Sequence, residues 1–244
     1  MFDLTGKTAV ITGGASGIGK ETALLFEKHG AEVIIIDLKA DATAGNVRFF
    51  TCDISNHKQV HEVIAQIGKV DILVNNAGIA HIGKADTTSE ADFDKIYNVN
   101  VKGAYNCLHA VLPLMVKQGS GVILNVSSIA AVVGITDRFA YSTSKGAIQA
   151  MTFSVARDYI DNNIRCNCIC PARVYTPFVE KFIAENYPGK EKEMFDKLSA
   201  SQPIGRMGTT AEIATLILYL CSDDASFITG CDYPIDGGFI KLNN

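Results

Sequence analysis

The stretch Lys7-Thr-Ala-Val-Ile-Thr-Gly-Gly-Ala-Ser-Gly-Ile-Gly19 joins a short apolar strand to a turn that is rich in glycine. An amphipathic helix is expected over residues 20–29, and Gly30 ends it. A second apolar strand, Glu32-Val-Ile-Ile-Ile-Asp37, follows directly. Residues 7–37 therefore predict a β-α-β unit, which is right-handed in nearly all proteins.

Beyond this unit, apolar strands continue to alternate with amphipathic helices. Further strands are predicted over 47–52, 71–75, 121–127, 164–170 and 231–235. Such strands, separated by helices, indicate a parallel sheet that is covered on both faces. We predict an α/β fold, a Rossmann-like doubly wound parallel sheet in three layers, as one domain over residues 1–244. Two short helices within 173–206 predict a small helical lid at the substrate site.

The composition is typical of a soluble globular protein. The 244 residues are 48% hydrophobic and carry a net charge of −4, so we expect no nucleic-acid partner and no binding to an anionic membrane. No apolar run reaches transmembrane length, and residues 1–7 lack the apolar segment of a signal peptide. These features predict a cytoplasmic protein.

Seven cysteines are an odd number and do not form a recognisable disulfide framework. Cys166, Cys168 and Cys170 alternate along one predicted strand and share one face of it. No Cys-x-x-Cys pair or histidine cluster accompanies them, so they indicate buried thiols. No metal is expected.

Acid–base chemistry is concentrated between Ser128 and Lys145. Tyr141 and Lys145 are four residues apart at the start of a predicted helix, so they share one helix face. A phenol has a pKa near ~10, and a nearby ammonium favours its anion, which would let Tyr141 exchange a proton with an alcohol or carbonyl. Ser128 follows a predicted strand and can bond the same oxygen. An incidental Tyr–Lys pair on a surface helix is the alternative that this spacing alone leaves open.

The first turn and the second strand predict a dinucleotide site. A pyrophosphate at a helix N-terminus requires a close backbone approach, which side chains would obstruct. The turn supplies three glycines for that approach, Gly13, Gly17 and Gly19. Asp37 ends the second strand, where a carboxylate accepts both ribose hydroxyls and repels a 2′-phosphate. Positions 16 and 38, where an arginine could bind that phosphate, hold Ser16 and Leu38 instead, so the cofactor predicted is NAD.

Four stretches resemble the short-chain dehydrogenase/reductase family in order and spacing, and the resemblance covers essentially the whole chain. They are Thr12–Gly19, Asn75–Gly78, Asn98–Asn100 and the Ser128, Tyr141, Lys145 group. The resemblance implies an NAD-dependent oxidoreductase that interconverts a secondary alcohol and a carbonyl. Its catalytic group would be a general acid/base, a lysine that lowers the pKa of that group and holds the nicotinamide ribose, a serine that orients the substrate, and an asparagine that supports a water. These are Tyr141, Lys145, Ser128 and Asn100.

The resemblance also assigns residues to the cofactor. Besides the glycines, Asp37, Tyr141 and Lys145, they are Ser16, Ile18, Asp53, Ile54, Asn75, Ala77, Gly78, Pro171, Val174 and Thr176. Asp53 and Ile54 would flank the adenine, and Thr176 would hydrogen-bond the cofactor. The family usually has glycine where this chain has Ala172, which leaves the local backbone of that loop open.

Arg138 and Arg173 are candidate substrate contacts, because guanidinium groups bind carboxylates bidentately. His81 follows the Asn75–Gly78 stretch and is a third candidate. The Asp-Arg pair before the tyrosine helix and the stretch 164–168 resemble a family subset that acts on hydroxy acids and deoxy sugar acids. A small polar substrate, such as a hydroxy acid, sugar or sugar acid, is therefore predicted. Two alternatives remain open: the two arginines could pair with carboxylates at the surface or at a subunit interface, and His81 could have no role in substrate binding.

Two other functions remain open at this stage. A 3-oxoacyl-(acyl-carrier-protein) reductase normally uses NADPH and a basic patch, and both Asp37 and the net acidity argue against it. A catalytically silent dinucleotide-binding scaffold has the same fold, which alone does not define function. The resemblance to the family also bears on assembly. It implies a homotetramer in which helices from 89–117 and 141–162 pack between subunits.

Overall fold

A computed structural model of the chain describes residues 2–39 and 47–242. Its nine strands are β1 (Thr8–Thr12), β2 (Glu32–Asp37), β3 (Arg48–Thr51), β4 (Ile72–Asn75), β5 (Gly121–Val126), β6 (Ile164–Pro171), β7 (Val174–Tyr175), β8 (Gly208–Thr209) and β9 (Asp232–Ile235). Seven of them form one parallel sheet in the order β3-β2-β1-β4-β5-β6-β9. The order reverses direction at β1, as in doubly wound dinucleotide-binding folds, so the predicted fold class is confirmed.

Helices connect these strands. They are α1 (Gly17–Lys28), α2 (His57–Ile67), α3 (Glu90–Ile96), α4 (Gly103–Gln118), α5 (Phe139–Asp158), α6 (Pro177–Asn186), α7 (Glu191–Ala200), α8 (Thr210–Cys221) and α9 (Phe239–Leu242). A π-helical stretch, Tyr97–Lys102, joins α3 to α4. The long helical region predicted for 89–117 is therefore continuous but widened in its middle, which is a feature common at functional sites.

Two apolar cores lie on opposite faces of the sheet, because successive strand residues point to opposite sides. Along β2, Ile34 and Ile36 join the core that is covered by α2, α4 and α5, whereas Val33 and Ile35 join the core covered by α1 and α8. The strand is fully buried over these four positions. This double coverage explains why the strands are apolar along their length rather than alternating.

Three further features follow the sequence prediction. Cys166, Cys168 and Cys170 are free and buried at alternate positions of β6. The segment 173–206 carries the two helices α6 and α7. No helix among residues 2–39 and 47–242 combines the length and the apolarity needed to cross a membrane.

Candidate active site

The first strand ends in a turn that side chains would block. Gly13 has a φ of +67°, and a Cβ there would lie 2.8 Å from the Cα of Ala77. A Cβ on Gly19 would collide with the carbonyl oxygen of Gly13 and lie 2.5 Å from Asn76 Nδ2. Ser16 begins α1 without a side-chain hydrogen bond to the helix amides. The turn thus forms an open cradle of backbone N–H groups that fits a pyrophosphate.

Asp37 lies at the end of β2 beside this turn. Its Oδ2 accepts a hydrogen bond from the Ala15 amide at 3.1 Å, and its Oδ1 accepts one from the Leu38 amide at 2.7 Å. The residue is only partly buried. Since each carboxylate oxygen has two acceptor positions, the side chain can still accept the two hydroxyls of a ribose.

Hydrogen bonds tie the loop after β4 to the first turn. Asn76 Nδ2 donates to the Thr12 carbonyl at 3.0 Å, and Thr12 Oγ1 accepts from the amides of Asn76 and Ala77 at 3.1 Å. Asn75 points into the core instead, where its Nδ2 donates to Asn125 Oδ1 at 2.9 Å. Its side chain therefore stabilises the central strands and does not line the catalytic cleft.

Three of the predicted catalytic side chains line one cleft of about 610 Å³. Tyr141 and Lys145 reach it from the first turns of α5, and Ser128 reaches it from the residues that follow β5. Lys145 Nζ donates to the Val126 carbonyl at 2.7 Å and lies 5.7 Å from the centroid of the Tyr141 ring. The helical spacing thus brings phenol and ammonium together at the carboxyl end of the sheet.

Asn100, the fourth predicted residue, lies in the π-helical stretch behind Gly78. Its Oδ1 accepts from the Ile79 amide at 2.8 Å, and its Nδ2 donates to the Ile79 carbonyl at 2.9 Å and to Ser144 Oγ at 3.0 Å. A Cβ on Gly78 would lie 3.2 Å from Asn100 Oδ1 and 3.6 Å from Lys145 Nζ. Asn100 therefore holds the loop after β4 against α5 and beside the lysine.

Burial dominates the electrostatics of the cleft. It raises the pKa of Tyr141 above its usual value, and hydrogen bonding with Ser128 and the charge of Arg138 oppose this only in part. Burial also lowers the pKa of Lys145 to about 8, against a smaller opposing effect of Cys170. The net direction is therefore opposite to the lowering of the Tyr141 pKa that the sequence predicts, because burial outweighs the groups that favour the phenolate.

A second cavity of about 360 Å³ adjoins the catalytic cleft. Four residues line both spaces, namely Ala80, His81, Phe178 and Val179. Arg138 and Arg173 line the second cavity but not the catalytic cleft. Arg138 Nη1 donates to the His81 carbonyl at 3.3 Å, and Arg173 Nε donates to Ser201 Oγ at 3.0 Å. The structure thus brings all three predicted substrate residues to one chamber next to Tyr141.

The positive charge of this chamber is unbalanced. Within residues 2–39 and 47–242, neither Arg138 nor Arg173 forms an ion pair, whereas Arg206 donates to both carboxylate oxygens of Glu212. Burial lowers the pKa of Arg173, and the charge of Arg138 lowers it further. His81 Nε2 is buried without a hydrogen-bond partner. A bound anion would relieve the repulsion between the two guanidinium groups.

Predicted residues from four connections line the catalytic cleft: Ile18, Gly78, His81, Ser128, Tyr141, Lys145, Pro171, Val174 and Thr176. Thr176 also caps α6, since its Oγ1 accepts from the Val179 amide. Asp53 and Ile54 do not line this cleft. The Asp53 carboxylate accepts hydrogen bonds from the amide and hydroxyl of Ser55, and the side chain of Ile54 is buried against Gly103.

Among the cleft residues that sequence reasoning missed are four that come from two helices. Asp92 and Lys95 approach it from α3, and Phe178 and Val179 approach it from α6. Their positions depend on how α3 and α6 pack over the edge of the sheet. The sequence contained one usable signal, the start of α6 at the Thr176 cap, which places Phe178 and Val179 in the first helical turn next to the cofactor loop.

A doubly wound sheet with a glycine cradle and a Ser-Tyr-Lys cleft at its carboxyl edge defines a nicotinamide-dependent oxidoreductase. A family model described as enoyl-(acyl carrier protein) reductase matches residues 13–240. Dehydrogenase/reductase SDR family member 6 of Aquarana catesbeiana is 41% identical over 98% of this chain and 99% of its own length. The 3-oxoacyl-(acyl-carrier-protein) reductase FabG of Thermotoga maritima is 37% identical over 97% of this chain and 99% of its own length.

Solved structures of dehydrogenases and related proteins are also similar to this chain. The ligand-free aldohexose dehydrogenase of Thermoplasma acidophilum superposes with a TM-score of 0.92 at 33% identity, covering 99% of this chain and 97% of that one. ElxO with NADP bound gives a TM-score of 0.89 at 33% identity, covering 97% of this chain and 99% of that one. The chain therefore belongs to the short-chain dehydrogenase/reductase family, as its motifs predict.

Proposed function

We propose that this protein is an NAD-dependent dehydrogenase that interconverts a secondary alcohol and a carbonyl in a small carboxylate-bearing substrate, a hydroxy acid or a sugar acid. One observation carries the proposal. The cleft that contains Ser128, Tyr141 and Lys145 adjoins a chamber lined by Arg138 and Arg173, which have no carboxylate partner in the described part of the chain. A substrate with an acid group at one end and a hydroxyl at the other matches this arrangement.

The proposed cofactor site rests on the glycine turn and Asp37. The cradle at Gly13 and Gly19 would hold the pyrophosphate, and the Asp37 carboxylate would accept the adenosine ribose hydroxyls. A 2′-phosphate at that ribose would meet the negative charge of Asp37, which favours NAD over NADP. The neighbour that binds NADP makes a direct comparison of the two cofactors necessary. When bound, the nicotinamide donates or accepts the hydride.

Tyr141 is the proposed proton donor and acceptor. Because burial raises its pKa, the phenol is neutral near pH 7 and can donate its proton to the oxygen of a carbonyl substrate. In the oxidation direction it would take the hydroxyl proton of the alcohol. Ser128 lines the same cleft as this phenol and would hold the substrate oxygen in line with it.

Lys145 and Asn100 would support this proton transfer from behind. With a pKa of about 8, the Lys145 side chain is a cation at neutral pH and can bond a ribose hydroxyl at the cleft floor. Its three donors exceed the single bond that it makes to Val126. Asn100 holds Gly78 and Ile79 against the lysine and would fix the path by which a water reaches it.

A second candidate is reduction of a 3-oxoacyl group on an acyl-carrier protein. The observation that favours it is the FabG relative, which is 37% identical over nearly the whole chain. The net charge of −4 disfavours docking of an acidic carrier. A neutral acyl chain would also leave Arg138 and Arg173 in the second cavity without an anionic partner, so we place this function second.

A substrate panel tests the proposal directly. Hydroxy acids, sugar acids, aldoses and neutral secondary alcohols are each supplied with NAD, and NADH formation is followed by its absorbance. Acetoacetyl thioester with NADPH serves as the comparison for the second candidate. Turnover confined to carboxylate-bearing alcohols is the expected result. Turnover of the thioester with NADPH, and of no acid with NAD, would assign the second candidate instead.

A further inference from the structure

Three of the five histidines meet on the surface formed by α2 and α4, away from the catalytic cleft. His57 and His61 are one helical turn apart on α2, and His109 faces them from α4. One ligand atom from each ring lies within 4.8 Å of the others. In the single chain, the rings of His57 and His109 are exposed and that of His61 is half-buried.

The ring geometry matches that of a shared metal ion. The three imidazole centroids are separated by 4.5, 5.1 and 5.0 Å. Tetrahedral zinc with Zn–N bonds of about 2.05 Å would place such centroids about 5.2 Å apart and the ligand nitrogens about 3.3 Å apart. His61 Nε2 and His109 Nδ1 already face each other at 2.9 Å. A small opening of this pair would admit an ion in place of the shared proton.

A buried amide prepares the third ring for coordination. Asn106 is fully buried, and its Nδ2 donates to the Ile54 carbonyl at 2.8 Å, so its Oδ1 is left as an acceptor. His57 Nδ1 lies 2.8 Å from that oxygen and must donate to it. In the neutral ring the proton is then on Nδ1, and Nε2 keeps a free lone pair. Orientation of a ligating histidine by an outer hydrogen bond is typical of metal centres.

We propose that His57, His61 and His109 form a binding site for a divalent transition metal of the zinc class, with the fourth position open to water. Imidazole ligands suit Zn²⁺, Cu²⁺ and Ni²⁺, whereas Mg²⁺ and Ca²⁺ prefer oxygen. The ion would cross-link α2 to α4. Through Asn106 it would also fix the backbone of Ile54, which forms part of the proposed adenine wall.

The test uses the full-length protein without a histidine tag, in its native assembly. Zn²⁺ is titrated calorimetrically into the wild type, His61→Gln, His109→Gln and the matched control His29→Gln, whose histidine lies outside the cluster. Circular dichroism verifies that all four are folded. Co²⁺ is added in parallel, because its visible absorption reports a tetrahedral nitrogen site.

The wild type and His29→Gln should each bind one Zn²⁺ per chain and melt at a higher temperature with the metal than without it. His61→Gln and His109→Gln should bind at least about 100-fold more weakly, since even an outer partner of a ligand is worth 10- to 100-fold. Absence of saturable binding in the wild type would overturn the proposal. Zn²⁺ binding by both cluster variants that is as tight as that of the wild type would also overturn it, because the ion would then bind elsewhere, such as at the cysteine thiols.

Discussion

Lys145 carries a charge whose burial should weaken the native state. Burial lowers its pKa from 10.5 to about 8. At ~1.36 kcal/mol for each pKa unit, the charged form is disfavoured in the folded chain by about 3 kcal/mol. The hydrogen bond from Nζ to the Val126 carbonyl offsets about 1 kcal/mol of this. Lys145→Met keeps the unbranched stem without the charge, so it should stabilise the cofactor-free protein by about 2 kcal/mol at pH 7.

The pH dependence gives this prediction its sign. The pKa of Lys145 is lower in the folded chain than in the unfolded chain, so the unfolded chain holds the extra proton between about pH 8 and 10.5. Wild-type stability therefore rises with pH in this interval relative to the variant. The advantage of Lys145→Met should be complete below pH 8 and should disappear near pH 10.5.

Urea unfolding of the wild type, Lys145→Met and Lys95→Met at several values between pH 7 and 10.5 measures the effect. Lys95 lines the same cleft but is exposed, so its replacement is the matched control and should change stability little at any pH. A Lys145→Met protein that is no more stable than the wild type at pH 7 would refute the reasoning. A difference that does not shrink with rising pH would refute it equally.

Three further predictions concern substrate, cofactor and assembly. Arg138→Gln should lower kcat/KM for carboxylate substrates by about 10- to 150-fold, which corresponds to one charge-assisted hydrogen bond, while neutral alcohols react as before; equal losses for both classes would contradict the anion chamber. Asp37→Ala should narrow the preference for NADH over NADPH in binding titrations, and equal or tighter NADPH binding by the wild type would contradict the proposed role. The chain should form a homotetramer, since α4 and α5 expose apolar residues such as Val116 and Phe153; a stable monomer in light scattering at micromolar concentration would exclude it.

The fold was predictable because its signals are local. The buried strands β1 and β2 are mainly apolar, and Gly13 and Gly30 adopt positive φ values at turns where sequence reasoning placed them. Strand ends differ from prediction by one residue, as at β3, where the expected 47–52 is Arg48–Thr51, and α1 begins three residues earlier than expected, at Gly17. The π-helical stretch before α4 contains Asn100, whose side chain bonds the amide and the carbonyl of Ile79; these contacts form only when the chain folds.

The residues of the candidate site were predictable from the sequence, but the bonding partners of their side chains were not. The spacing of Tyr141 and Lys145 placed both on α5 beside one cleft. The bond of Lys145 to the Val126 carbonyl depends on a neighbouring strand and could not be foreseen. The histidine cluster was missed for a similar reason, because His109 is 48 residues from His61 and only packing of α4 on α2 joins them.

The proton-transfer role of Tyr141 is tested most directly by Tyr141→Phe, measured for turnover and for NADH binding on the same preparation. The phenol acts on the substrate oxygen and not mainly on the cofactor, so turnover should fall about 100- to 10,000-fold while NADH binds nearly as in the wild type. Lys145→Ala should impair both measurements, because the ammonium is also proposed to hold the ribose. Full turnover by a folded Tyr141→Phe protein would contradict the proposed chemistry and favour a silent dinucleotide-binding scaffold.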